Sequence, residues 1–197
     1  MGNFAAEFNI SIMNIKVFVA AVALGLAALT VSCSQKETAA PVETAISVDS
    51  LFTAAPSAVG DTVLVEGFCS HLCKHGGRKA FLVGNDTTLI LRCEATADMG
   101  GAFAPDCIGS TLKVRGIVRE NRIGEAEVVA MEARHAAASE AEAAHQACDT
   151  EKKAQGQSGL DSFEARIADY RQKIAERTEK EGKDYLSFYY LEALKYE

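Results

Sequence analysis

One stretch of this sequence concentrates side chains capable of chemistry: Cys69-Ser70-His71-Leu72-Cys73-Lys74-His75, running on into Gly76-Gly77-Arg78-Lys79. Cys, His, Cys and His recur at every second position. On a β-strand, residues i, i+2 and i+4 project from one face, so Cys69, His71 and Cys73 are expected to line one side. At roughly 3.4 Å per residue, neighbours on that side stand about 7 Å apart, too far for one ion to hold all three along a straight strand. A bend is required, and Gly76-Gly77 supplies one. His71, Cys73 and His75 at the start of that turn form the best local ligand set. Cys69 lies beside it, and Cys93 on a neighbouring strand is a candidate fourth ligand. Thiolate and imidazole together suit zinc or copper ions and suit calcium or magnesium poorly. The spacing differs from a zinc finger and from the Cys-x-x-Cys of thioredoxin-like centres. Lys74 also interrupts the Cys-x-x-Cys-His of c-type haem attachment. The same residues admit a second reading, in which Cys73–Cys93 or Cys93–Cys107 are disulfides and the histidines belong to a structural turn. Pairing cannot be read from sequence.

Arg78 and Lys79, with Lys74 and Arg92 near them, make a local basic spot. Its functional reading is an anion or nucleic-acid contact, and its bland reading is a solvated strand edge. The chain as a whole is acidic, with net charge −7, which argues against general nucleic-acid binding, since that wants a basic face. No nucleophile elbow, Walker loop, dinucleotide fingerprint or His-Glu-x-x-His occurs. There is thus no haem or nucleotide signature, and no catalytic residue is assigned. His145 and Cys148 stand three apart on an expected helix and share a face, too small a set for a metal site by itself.

The elements that must position these groups are mostly β. Thr62–Cys69, Lys79–Gly84, Thr87–Cys93, Thr111–Arg119 and Glu125–Glu132 read as five short strands, separated by turn signals such as Gly84-Asn85-Asp86 and Gly109-Ser110. No helix-length segment separates the early strands, so the pattern predicts a small all-β barrel rather than a βαβ sheet. The longer link, 94–109, falls between the third and fourth strands, where an OB-fold places its helix or loop. Residues 46–134 are therefore expected to form an OB-like barrel of five strands. An α-helical extension is expected over 135–197, with one helix over His135–Gln155. A second helix then carries an apolar stripe of Phe163, Ile167, Tyr170 and Ile174. Ser158 and Asp161 have capping-box spacing before it. The end of the chain, 184–197, holds Tyr185, Phe188, Tyr189, Tyr190 and Tyr196. Rings at that density are expected to dock on the domain or to form a surface for another envelope protein.

The N-terminal region carries an address. Lys16 precedes an uncharged run from Val17 to Ser32 that ends at Cys33. A basic start, a short apolar stretch and small residues before a cysteine are the layout of a signal peptide. The run is about 16 residues, short of the roughly 20 that a spanning helix needs. Met13 is a better start than Met1 for such a signal. Leu29-Thr30-Val31-Ser32-Cys33 resembles a lipobox, with Thr30 where leucine is usual. The expectation is a signal peptide over 1–32, lipidation (palmitate-type acylation) of Cys33 and a polar tether over 33–45. An uncleaved anchor or a plain secretory signal are the alternatives. The protein would then sit lipid-anchored in the cell envelope, at the inner or outer membrane or on the cell surface. Export would place Cys69, Cys73, Cys93, Cys107 and Cys148 in an oxidising compartment, and five thiols cannot all pair with one another.

Val65-Glu66-Gly67, His71 to Lys79 and Phe81-Leu82-Val83-Gly84, with the later Gly109 to Gly116 and Phe188-Tyr189-Tyr190-Leu191-Glu192, resemble a group of lipoproteins from Bacteroidetes with no assigned activity. The likeness spans most of the chain after Cys33, and its one distinctive motif is His-x-Cys-x-His-Gly-Gly-Arg-Lys. It implies an exported OB-like domain with a helical C-terminal extension. Ala80 stands where such proteins are expected to carry a further cysteine.

Overall fold

Alternation in Val63 to Ser70 decides how the first long strand lies. Val65, Gly67 and Cys69 are buried, while Glu66, Phe68 and Ser70 between them are exposed, the period-2 pattern of a sheet with one face on a core. The computed structural model describes residues 44–74, 76–138 and 148–197, all within one unit, Pro41–Glu197. In chain order its elements are β1 (Ile46–Ser47), α1 (Val48–Ala58), β2 (Thr62–Leu72), β3 (Lys79–Val83), β4 (Ile90–Ala95), two 3₁₀ turns, β5 (Thr111–Gly124) and α2 (Glu125–Ala137). Two further helices, here α3 (Asp149–Ala154) and α4 (Phe163–Glu181), lead to β6 (Tyr185–Tyr196).

Five strands close on themselves. β2 pairs antiparallel with β3, β3 with β4, and β4 runs parallel to β6. β6 pairs antiparallel with β5, and β5 returns antiparallel to β2. This closed circuit, with β1 as a short extra strand on β2, is consistent with an OB-like barrel. Its interior holds Val65, Cys69, Leu72, Ala80, Leu82, Leu91, Cys93, Val114, Val118, Leu191 and Ala193, with Val48 and Leu51 of α1 packed against them. The Asp49 carboxylate in the first turn of α1 accepts from Asn85 N at 3.0 Å and Asp86 N at 2.8 Å, pinning the β3–β4 turn. The strands β5 and β6 stay paired to the register Gly124↔Tyr185, forming a ribbon from which the helical insertion rises.

Several elements differ from the sequence expectation. Glu125–Glu132 is the start of helix α2 and not a strand. Gly124 stands at its N-cap, Glu125 and Glu127 occupy its first turn, where acidic groups favour the helix dipole, and only Val128 of its residues is fully buried. The fifth barrel strand is instead the aromatic segment, so the C-terminal region is not purely helical. The expected helix over His135–Gln155 is divided: α2 ends at Ala137, α3 starts at Asp149, and 139–147 lie outside the described residues. The capping residue of α4 is Ser162, whose hydroxyl accepts from Ala165 N at 3.0 Å, and not Ser158. The stripe itself is as expected. Ile167, Tyr170 and Ile174 form a second core with Ile123 and Val128, against which Phe163, Leu186 and Phe188 pack. Among the described residues no helix is long and apolar enough to cross a membrane.

Candidate functional site

The Cys/His stretch runs off the end of β2 into the hairpin that leads to β3. Cys69 pairs with Leu82, but the next pairs are His71↔Phe81 and Leu72↔Ala80, so the ladder slips by one residue at Ser70. A bulge of this kind inserts one residue and reverses the facing of the residues beyond it. Cys69 and Leu72 therefore both point into the barrel, while His71 turns to the outer face, where its ring lies 5.8 Å from that of Phe81. The expectation of Cys69 and His71 on one face is thereby corrected. Phe81 is fully buried, yet on the outer side of the barrel wall, since its neighbours Ala80 and Leu82 are the ones that face the interior.

The five candidate ligands are divided accordingly. Cys69 and Cys93 are 0% exposed and belong to the apolar interior with Cys107. Burial, and then the neighbouring Cys107, push the Cys69 thiol up to about 11. Burial and the neighbouring Cys69 also hold the Cys93 thiol well above its ordinary value. Both are thiols that resist ionisation. His71 and Cys73 remain at the hairpin. His71 Nε2 is buried without a hydrogen-bond partner, and Cys73 is part-buried. His75 lies outside the described residues, as do Cys33 and His145. The hairpin is tied by Cys73 N donating to Lys79 O at 2.8 Å and Gly77 N donating to Cys73 O at 3.1 Å. Gly77 has φ +64°, and a Cβ there would stand 2.8 Å from Phe103 O. Only glycine meets both conditions. Among the described residues no three His, Cys, Asp or Glu side chains converge as a metal cage.

Two residues of the basic spot, Lys79 and Arg92, are used within the chain. Lys79 Nζ donates to Glu151 Oε1 at 2.8 Å and Arg92 Nη1 donates to the same oxygen at 3.1 Å. Arg92 also lies with its guanidinium 4.6 Å over the ring of Tyr190. The carboxylate of Glu151, on α3, thus brings the helical insertion down on β3 and β4. Arg78 is exposed and Ala95 N donates to its carbonyl at 2.9 Å. Glu151 carries no sequence signal, because its partners stand 72 and 59 positions away. Cys148 is the part-buried N-cap residue of α3. His135 stacks on Phe163 with ring centroids 3.9 Å apart, a packing role.

No family model matches this sequence, and no curated protein matches it. Among solved structures the chain is similar to one assigned as an aspartyl-tRNA synthetase from Leishmania major Friedlin, at 23% identity over 44% of this chain, with a TM-score of 0.29. The chain spans 18% of that protein's length.

Proposed function

We propose that this protein is a lipid-anchored module of the cell envelope whose OB-like barrel presents the β2–β3 hairpin to a zinc or copper ion, with His71, Cys73 and His75 as ligands. One observation carries the metal part: His71 Nε2 is withdrawn from water and has no hydrogen-bond partner. A buried polar nitrogen nearly always has a partner, and a neutral imidazole nitrogen is a common metal ligand. Cys73, two positions on, would supply a thiolate, and His75 completes the set on sequence spacing. Cys69 and Cys93, candidate ligands by sequence, serve packing in this reading. The run before Cys33 and the polar tether after it support the envelope address. The experiment is metal analysis of the purified protein beside its His71→Ala/Cys73→Ala double variant and a Cys69→Ser variant. About one equivalent of zinc or copper is expected in the parent and in Cys69→Ser, with at least a tenfold loss in the double variant. Equal metal content in parent and double variant would sink the proposal.

A second reading is favoured by the placing of Cys69, Cys93 and Cys107 in the apolar interior. There the cysteines serve the core alone, and the module is a non-catalytic, metal-free adaptor or ligand carrier. The aromatic segment is a barrel strand with every ring part-buried, so a partner that engages it would meet it as part of the barrel wall.

A further inference from the structure

Cys69 and Cys107 are brought together by a turn. Ile108 has φ −63° and ψ 128°, Gly109 has φ +84°, and Ser110 N donates to Cys107 O at 3.1 Å. Cys107 to Ser110 is therefore a type II β-turn, whose third residue needs the positive φ that glycine accepts. The turn docks on β2 as a bulge. Gly109 N donates to Cys69 O and Cys69 N donates to Ser110 O, both at 2.9 Å, so two residues, the first a glycine, stand against one. Ser110 thus accepts from Cys69 and donates to Cys107. The two groups of a strand residue that bond a neighbour point to the same side, so both cysteines lie along one edge of Ser110.

Their side chains share the barrel's apolar interior, Cys69 0% and Cys107 4% exposed. Both are free thiols. Cys69 Sγ donates to His71 O at 3.8 Å, and the Cys107 thiol meets the Tyr196 hydroxyl. Thiols are weak donors and acceptors, so neither contact holds the pair apart strongly. The other cysteines are placed less well. Cys73 stands outside the interior cluster. Cys93 is separated from β2 by the width of β3, since Ala80 pairs with Leu72 on one side and with Cys93 on the other. That is about 9–10 Å of strand spacing, beyond the roughly 7 Å between Cα atoms that a disulfide spans.

We propose that Cys69 and Cys107 form a disulfide when the folding chain meets a disulfide oxidant. Cys107 loses its proton and attacks the oxidant's S–S bond, which releases one thiol and leaves a mixed disulfide. Cys69 then loses its proton and attacks Cys107 Sγ, releasing the second thiol. Two electrons and two protons pass to the oxidant, which ends as two thiols. Burial, and then the neighbouring Cys107, push the Cys69 thiol up to about 11, so its attack is slow in the finished core and the bond belongs to folding. It would tie the β4–β5 connection to β2. Phe103 of that connection donates from its N to Gly77 O at 2.9 Å, so the tie also steadies the Cys/His hairpin. It depends on neither the lipid nor a metal.

The test is refolding of the reduced, denatured full chain in reduced and oxidised glutathione with a chelator present. Remaining thiols are then alkylated, and the unreduced protein is digested for mass spectrometry. Cleavage at Lys, Arg and Glu separates the cysteines into fragments 67–74, 93–94 and 95–113. A link between 67–74 and 95–113 is expected as the dominant pairing in the parent. It should be undiminished in Cys73→Ala, where Cys69 is the one thiol left in the first fragment, and lost in Cys107→Ala. The parent and Cys73→Ala decide even where Cys107→Ala does not fold. The proposal is overturned if no such link forms, if it disappears in Cys73→Ala, or if Cys107 is recovered joined to 93–94.

Discussion

At the scale of single residues, a side chain with no mark in the sequence, Glu151, joins the helical insertion to the barrel. Burial raises the pKa of Glu151, but the hydrogen bonds and positive charges of Lys79 and Arg92 outweigh it and hold the carboxyl below its ordinary value. A carboxyl depressed in the folded state contributes stability that is complete above its unfolded value, about 4.3. That contribution is lost as the pH falls through the folded value. Glu151→Gln is therefore expected to lower stability by about 1–3 kcal/mol at pH 7, with the difference from the parent shrinking as the pH falls below about 4.3. Denaturant titrations at pH 7, 5 and 3 measure this, and a difference that stays constant across them contradicts the pairing. The chemistry-bearing stretch was easy to find by residue type. Its facing was not, because strict alternation of Cys, His and Cys looks one-sided until the bulge at Ser70 turns His71 away from Cys69. A one-residue slip leaves no mark in composition.

At the scale of elements, the four strands from Thr62 to Arg119 were legible because their runs are rich in β-branched and apolar residues and turn residues bound them. The misplacement of the fifth has a physical reason. Glu125–Glu132 contains two adjacent valines and suggests a strand, but the surrounding alanines, glutamates and Met131 are good helix formers. Val129 is accordingly 51% exposed while Val128 is fully buried, one face of a helix in contact and the other in water. The segment Leu191 to Lys195 contains helix formers too, and becomes a strand because β4 and β5 hold it on either side. Pairing overrides local preference here. Leu191 is 0% exposed in the barrel interior, so Leu191→Ala is expected to cost about 2–5 kcal/mol. Lys195→Ala, on the exposed side, should change stability by less than about 0.5 kcal/mol. Thermal or urea unfolding of the two variants compares them, and equal effects would mean that the aromatic segment is not part of the barrel.

At the scale of the whole molecule, an acidic chain of net charge −7 carries a barrel in whose basic spot Lys79 and Arg92 are engaged with its own Glu151. The proposed address adds a polar tether after Cys33. Cys33→Ser is expected to abolish incorporation of labelled fatty acid and to shift the protein from the membrane to the soluble fraction; labelling that persists in the variant removes Cys33 as the anchor. The barrel also has a history built into its wiring. Its closing strand is separated from β5 by the entire helical insertion, and Thr96 Oγ1 reaches Ala193 O, at the join of β4 and β6, across 97 positions of chain. Contacts of such long range are slow to form, since the entropy of closing the loop is lost before the strand contacts reward it. Until β6 docks, β4 and β5 each offer an unpaired edge, the template on which strands from separate chains add to one another. The molecule is thus most exposed to aggregation before its final strand arrives, and that vulnerability is set by topology and not by the strength of its core.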